Sequence, residues 1–152
     1  MQQGTRANFT GNALEKVIYN ALVDKGYEFL KKNKFDPALC LKQPIFTTKY
    51  LVGKGVYDTD IYCDFILYHP EKHPKCLVIE SKWQESRGSV DEKYPYLVLN
   101  IHNKYPYPTI IVLDGEGYKK GAEVWLRKQK NGNLIHVFNM MEFQRWSNKD
   151  GL

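Results

Sequence analysis

Residues 60–84 read DIYCDFILYHPEKHPKCLVIESKWQ. Two apolar runs, 61–68 and 76–83, have the composition of strands, and the HPEKHPK between them, with two prolines among polar residues, predicts a turn. If Asp64 faces Glu80 in an antiparallel hairpin, the hairpin centres on Lys72, inside that turn, and no bulge is needed. Side chains alternate along a strand, so this register fixes two faces. Asp60, Tyr62, Asp64 and Ile66 then lie beside Val78, Glu80, Lys82 and Gln84. Ile61, Cys63, Phe65 and Leu67 lie beside Leu77, Ile79, Ser81 and Trp83, and form a core face. The even-numbered face gathers carboxylates, a lysine and an amide at one end.

The chain continues this pattern on both sides. Leu14, Val17, Ile18, Ala21 and Leu22 share one face of a predicted helix over 12–25, which Gly26 ends. A basic irregular stretch follows, with Lys31, Lys32 and Lys34 before Asp36-Pro37. Residues 44–52 alternate as a strand that Gly53-Lys54-Gly55 breaks. Beyond the hairpin, 89–103 reads as a helix with a capping box, Ser89-x-x-Glu92, and Pro95 kinks it or marks its true start. A buried strand over 109–114, a charged helix over 119–130, a strand over 134–138 and a short helix over 139–146 complete the order αβββαβαβα. Its natural packing is a mixed sheet flanked by helices on both faces.

With 152 residues, the chain fits one compact domain, here taken as 1–152. It is 43% hydrophobic and 26% charged, which excludes disordered and collagen-like classes. Its longest aliphatic runs are far too short to span a bilayer, and MQQGTRANFTGN has no apolar core of a secretion signal. Three cysteines, an odd number, argue for a reducing cytoplasm over a disulfide framework. A net charge of +5 favours a polyanionic partner mildly.

Two acids across a hairpin suit a hard cation such as Mg²⁺, which prefers oxygen ligands and keeps several waters. Such an ion can generate a hydroxide and stabilise a phosphorane, and a nearby lysine can position the water or offset charge. This is the constellation metal-assisted phosphodiester hydrolysis needs. A solvated Asp–Glu–Lys salt-bridge patch is the other reading of the same residues, and such patches contribute little.

Asp64-Phe65-Ile66-Leu67, a loop, then Leu77-Val78-Ile79-Glu80-Ser81-Lys82 resembles the PD-(D/E)XK motif of restriction-endonuclease-like nucleases. Cys63 stands where the motif has proline. The flanking elements resemble the αβββαβ core of that superfamily over about 12–114, leaving 115–152 as a peripheral helix–strand–helix. The stretch from Lys82-Trp83-Gln84 to Gly88–Lys93 resembles type II restriction enzymes. The resemblance implies that Asp64 and Glu80 bind a divalent ion, Mg²⁺ with Mn²⁺ able to substitute, and that the Ser81 carbonyl adds a ligand. It makes Lys82 the catalytic lysine and gives Glu15 the place of a helix acid touching the metal or its water. Asn12-x-x-Glu15 is equally a capping box. Gln84, one step past Lys82 on the same face, is a candidate to hold water or phosphate, and Asp60 is a rival for Asp64.

The implied activity is a metal-dependent endodeoxyribonuclease, with site-specific double-strand cleavage of restriction or homing type. A Holliday-junction resolvase and a non-catalytic nucleic-acid-binding module of the same fold are the alternatives. Cutting both strands with so small a chain implies a homodimer or higher symmetric oligomer. Lys31, Lys32, Lys34, Lys49, Lys54 and Arg87 are candidates for DNA backbone contacts. Zinc is not expected: Cys63, His69, His73 and Cys76 match no finger spacing, and the register sets the two cysteines on opposite faces. No nucleophile elbow, phosphate-binding loop or dinucleotide fingerprint is present.

Overall fold

Apolar residues at strand and helix spacing build one sheet with a buried layer on each side. The computed structural model of the chain describes residues 13–84, 91–115, 117 and 119–152. Within these, α1 (Ala13–Asp24), β1 (Glu28–Phe29), α2 (Lys32–Ala38), β2 (Ile45–Lys54), β3 (Asp60–His69) and β4 (His73–Trp83) come first. Then follow α3 (Tyr94–Asn103), β5 (Thr109–Asp114), α4 (Lys120–Lys128), β6 (Leu134–Asn139) and α5 (Met140–Asn148). The six strands stand in sequence order. β2–β3 and β3–β4 are antiparallel, whereas β1–β2, β4–β5 and β5–β6 are parallel. The result is the mixed α/β sheet expected for a restriction-endonuclease-like core.

One layer holds Leu14, Ile18 and Leu22 of α1 and Phe143 of α5 against Phe65, Leu67, Leu77, Ile79, Ile110 and Val112. The other holds Phe35 of α2, Leu97, Val98 and Ile101 of α3 and Leu126 of α4 against Ile66, Val78, Ile111 and Leu113. The i, i+4 spacing of Leu14, Ile18 and Leu22 is what commits α1 to its layer. Thr109–Leu113 is buried on both faces, as a central parallel strand requires. Asn139 and Glu142 cap α5 reciprocally, with the Glu142 N–H on Asn139 Oδ1 at 2.8 Å.

Several elements differ from the sequence reading. Residues 32–38, expected to be irregular, form α2, because burying Phe35 outweighs Pro37 in the last turn. The two-residue β1 was not expected. β2 runs on through Lys54, with a bulge between Leu51 and Gly53 at which Gly53 takes φ 147°; the expected break is thus absorbed within the strand. His73, Pro74 and Lys75 belong to β4 rather than to the turn. The pairing slips between Leu67 and His69, and Cys76 takes φ 65°. The expected bulge-free hairpin therefore carries one, near its turn. α3 starts at Tyr94 with Pro95 in its first turn, where a missing N–H costs nothing; the Ser89 capping box lies outside the described residues.

The far ends of β4 and β5 are tied together. Gln84 N–H donates to the Asp114 carbonyl at 3.1 Å, and Gly117 N–H donates to the Gln84 carbonyl at 2.8 Å. Gly115 has φ 103°, and a Cβ there would run into the Gln84 backbone. Gly115→Ala is therefore expected to lower the free energy of unfolding by about 2 kcal/mol or more. Urea denaturation checks this, and a change within about 0.5 kcal/mol, as at ordinary surface sites, would contradict it.

Candidate active site

The β3–β4 ladder runs from Leu67–Leu77 through Ile66–Val78 to Phe65–Ile79. One step further, the Asp64 side chain takes over from the backbone. Asp64 Oδ2 accepts the Ser81 N–H at 2.8 Å and the Ser81 hydroxyl at 3.2 Å. The strands are thus joined by a carboxylate where they part. On the other side, the pairs Thr48–Phe65 and Tyr50–Cys63 leave Lys49 opposite Asp64. The Lys49 ammonium donates to Asp64 Oδ1 at 3.1 Å and to Glu15 Oε1 of α1 at 3.3 Å.

The even–odd alternation does not survive this point. Cys63 packs in the same core layer as Ile66 and Val78, while Phe65 and Leu67 face the other layer. Cys76 lies in the layer of Val78, two residues further on, and so shares it with Cys63. The expected opposition of the two cysteines is therefore incorrect: Cys76 keeps the side of Val78, and Cys63 lies on that side too, away from Phe65 and Leu67. Their thiols are free, and burial pushes both above the ordinary thiol range.

Glu80 is 3% exposed. Burial first, and the neighbouring Asp64 charge second, push its carboxyl up to about 8, against the opposing effects of Lys82 and the Tyr105 hydroxyl. That hydroxyl donates to Glu80 Oε1 at 2.7 Å. Asp64 behaves oppositely. Burial would raise its carboxyl, but the Lys82 charge, the Ser81 N–H and Lys49 together hold it below the usual range. The two acids divide into one ionised group and one that keeps its proton, as adjoining carboxylates do.

Of the residues singled out from sequence, Asp64, Glu80, Ser81, Lys82 and Glu15 come together here. Lys82 is half-buried, and its charge acts on both Asp64 and Glu80. Asp60 does not join them; it pairs with Lys54 at 2.8 Å toward the β2–β3 turn. Gln84 differs from its expected role as an open water or phosphate holder. It is buried, its Nε2 donates to the Gly117 carbonyl at 3.0 Å, and its Oε1 accepts the Asp91 N–H at 3.1 Å. The amide is committed to the backbone of two loops. Lys31 stands at the N-cap position of α2 without a side-chain cap, Lys32 lies 5.9 Å from the Tyr62 ring centre, and Lys34 is exposed. Lys49 and Lys54 lie in β2, and Lys49 stands among the acids. Arg87 lies outside the described residues. Tyr105 was missed, since one tyrosine among eleven carries no signal. Register arithmetic on β2 and β3, centred on the turn after Lys54, would have set Lys49 opposite Asp64.

Among the described residues, no three His, Cys, Asp or Glu side chains converge tightly enough to enclose an ion. The donor set nevertheless fits a hard divalent cation that keeps waters: two adjoining carboxylates, one depressed and one raised. The Lys49 ammonium, held between Glu15 and Asp64, is itself a cation drawn to this pair of acids.

The charge balance at Glu80 has a measurable consequence in chelator-treated protein. A carboxyl raised on folding contributes stability that is complete below its unfolded value near 4.5 and is lost as pH rises through about 8. Glu80→Gln removes that dependence. Its melting temperature should exceed that of the wild type by roughly 5 °C at pH 9, the gap closing toward pH 5. A gap that does not change with pH would contradict this.

Compared with known families, the chain matches one described as a PD-(D/E)XK nuclease superfamily domain over residues 6–150. No curated protein and no solved structure matches the chain. Nearly the whole chain lies within the family match, and Asp64, Glu80 and Lys82 meet where β3 and β4 part. The chain belongs to the PD-(D/E)XK nuclease superfamily.

Proposed function

We propose that the protein is a Mg²⁺-dependent DNA endonuclease that cuts both strands at specific sites, with Mn²⁺ able to substitute. The observation that carries this reading is the join of Asp64 to Ser81 beside the buried Glu80, where β3 and β4 part. Asp64 and Glu80 would hold the ion. The Ser81 carbonyl adds a ligand, since a residue's C=O faces the same strand edge as its N–H. When bound, the ion supplies an activated water and offsets charge on the phosphate.

The chain's own residues do the positioning. The Ser81 N–H and hydroxyl fix the Asp64 carboxylate, and the Tyr105 hydroxyl fixes Glu80. Glu80 would bind the ion as its carboxylate, its proton passing to solvent. The Lys82 ammonium orients the attacking water and counters charge developing on the phosphate oxygens. Glu15, on α1, would touch the ion or its water. Lys31, Lys32, Lys34, Lys54 and Arg87 contact the DNA backbone, consistent with the net charge of +5. Cutting two strands brings two copies together about a two-fold axis. Three free cysteines suit a reducing cytoplasm. No helix among the described residues is long and apolar enough to cross a membrane.

Incubation of supercoiled plasmid and long linear DNA with Mg²⁺, with EDTA and with Lys82→Ala tests the reading. Discrete fragments should form, disappear with EDTA, and fall by about a hundredfold or more in rate for the variant. Cleavage of a four-way junction alone would make the enzyme a resolvase. Absence of metal-dependent cutting on every substrate would make it a binding module.

A further inference from the structure

Lys49 has φ 52°, left-handed backbone in the middle of β2, where a residue with a Cβ sits under strain. The pairing with β3 is regular on both sides of it, at Thr48–Phe65 and Tyr50–Cys63, so the strain accompanies no inserted residue. What accompanies it is the side chain's placement: the ammonium lies 3.1 Å from Asp64 and 3.3 Å from Glu15. Asp64 is consequently engaged at both oxygens. Oδ2 takes the Ser81 N–H and hydroxyl, and Oδ1 takes Lys49. A divalent ion approaching Oδ1 meets the ammonium first.

We propose that Lys49 is a tethered counter-cation, which neutralises Glu15 and Asp64 while the divalent ion is absent and must withdraw for the ion to bind. This rests on the metal-site reading above and adds to it a residue that sets the threshold for loading. The geometry allows withdrawal. The Lys49 side chain is 57% exposed, against 15% for Asp64 and 28% for Glu15. The lysine is therefore the mobile partner, with solvent to move into, and the acids are the fixed ones. Exposed ion pairs are weak, so Lys49 tunes affinity without blocking it.

Calorimetric titration of Mg²⁺ and of Mn²⁺ into the DNA-free protein tests this. Lys49→Met removes the ammonium, and Lys49→Gly removes it with a residue suited to the left-handed backbone. Lys49→Arg keeps the charge, and Lys54→Met removes an equal charge that is paired with Asp60 instead. Lys49→Met and Lys49→Gly are expected to bind about three- to tenfold more tightly than the wild type. Lys49→Arg and Lys54→Met should stay within about twofold of it. Unchanged or weaker binding by both Lys49→Met and Lys49→Gly would overturn the proposal. So would equal tightening by Lys54→Met, which would mark a general charge effect. Asp64→Ala separates this failure from that of the site itself: if its binding equals the wild type's, the ion lies elsewhere and the metal-site reading falls first.

Discussion

The hydrogen bond from the Ser81 N–H to the Asp64 carboxylate is the constraint on which the site depends. In a continuing hairpin, that N–H would find a backbone carbonyl on β3. Here it finds a side chain, so the strands can part without leaving a buried donor orphaned. The parting opens the end of the sheet while keeping both strands in register behind it, at Phe65–Ile79 and Ile66–Val78. A replacement unable to accept that bond would expose the N–H and release the strand ends together.

Charge is balanced around this join by specific partners. Three carboxylates, Glu15, Asp64 and Glu80, meet two lysines, Lys49 and Lys82. The lysines favour ionised Asp64, and the buried Glu80 is left to keep its proton with a tyrosine hydroxyl as support. Burying a second naked carboxylate would be far more costly than retaining that proton. The site is thus built for more positive charge than its lysines alone provide, which is the electrostatic basis for reading it as a cation site. Beyond it along β4, the Gln84 N–H ties the strand end to the Asp114 carbonyl of β5, and Gly115 packs against the Gln84 backbone.

Much of this was legible in the sequence because it rests on short-range rules. The apolar alternation of residues 61–68 and 76–83 and the proline-rich turn between them set the register of Phe65, Ile66 and Leu67 against Ile79, Val78 and Leu77. The uniform run at Thr109–Leu113 announced a strand buried on both faces. What escaped depends on departures from ideal geometry. The glycine at 53 marked an irregularity but not that the strand runs on through it, and the positive φ at Cys76 and Lys49 leaves no mark in residue type. Nor does residue type show that Cys63 leaves the side of Phe65 and Leu67 to share a layer with Cys76. Gln84 looked catalytic by strand parity alone; its amide answers to loops that come from far along the chain. Tyr105 reaches Glu80 from beyond α3, a contact fixed by packing and invisible to spacing.

The central claim is that Asp64 and Glu80, where β3 and β4 part, hold a divalent cation. A crystal of the protein grown with Mn²⁺ and measured for anomalous scattering tests it most directly. The account predicts a Mn²⁺ peak within about 2.3 Å of a carboxylate oxygen of each residue, with waters completing its shell. A well-ordered site with both carboxylates free of Mn²⁺, or a peak bound only by histidine or cysteine, would contradict it.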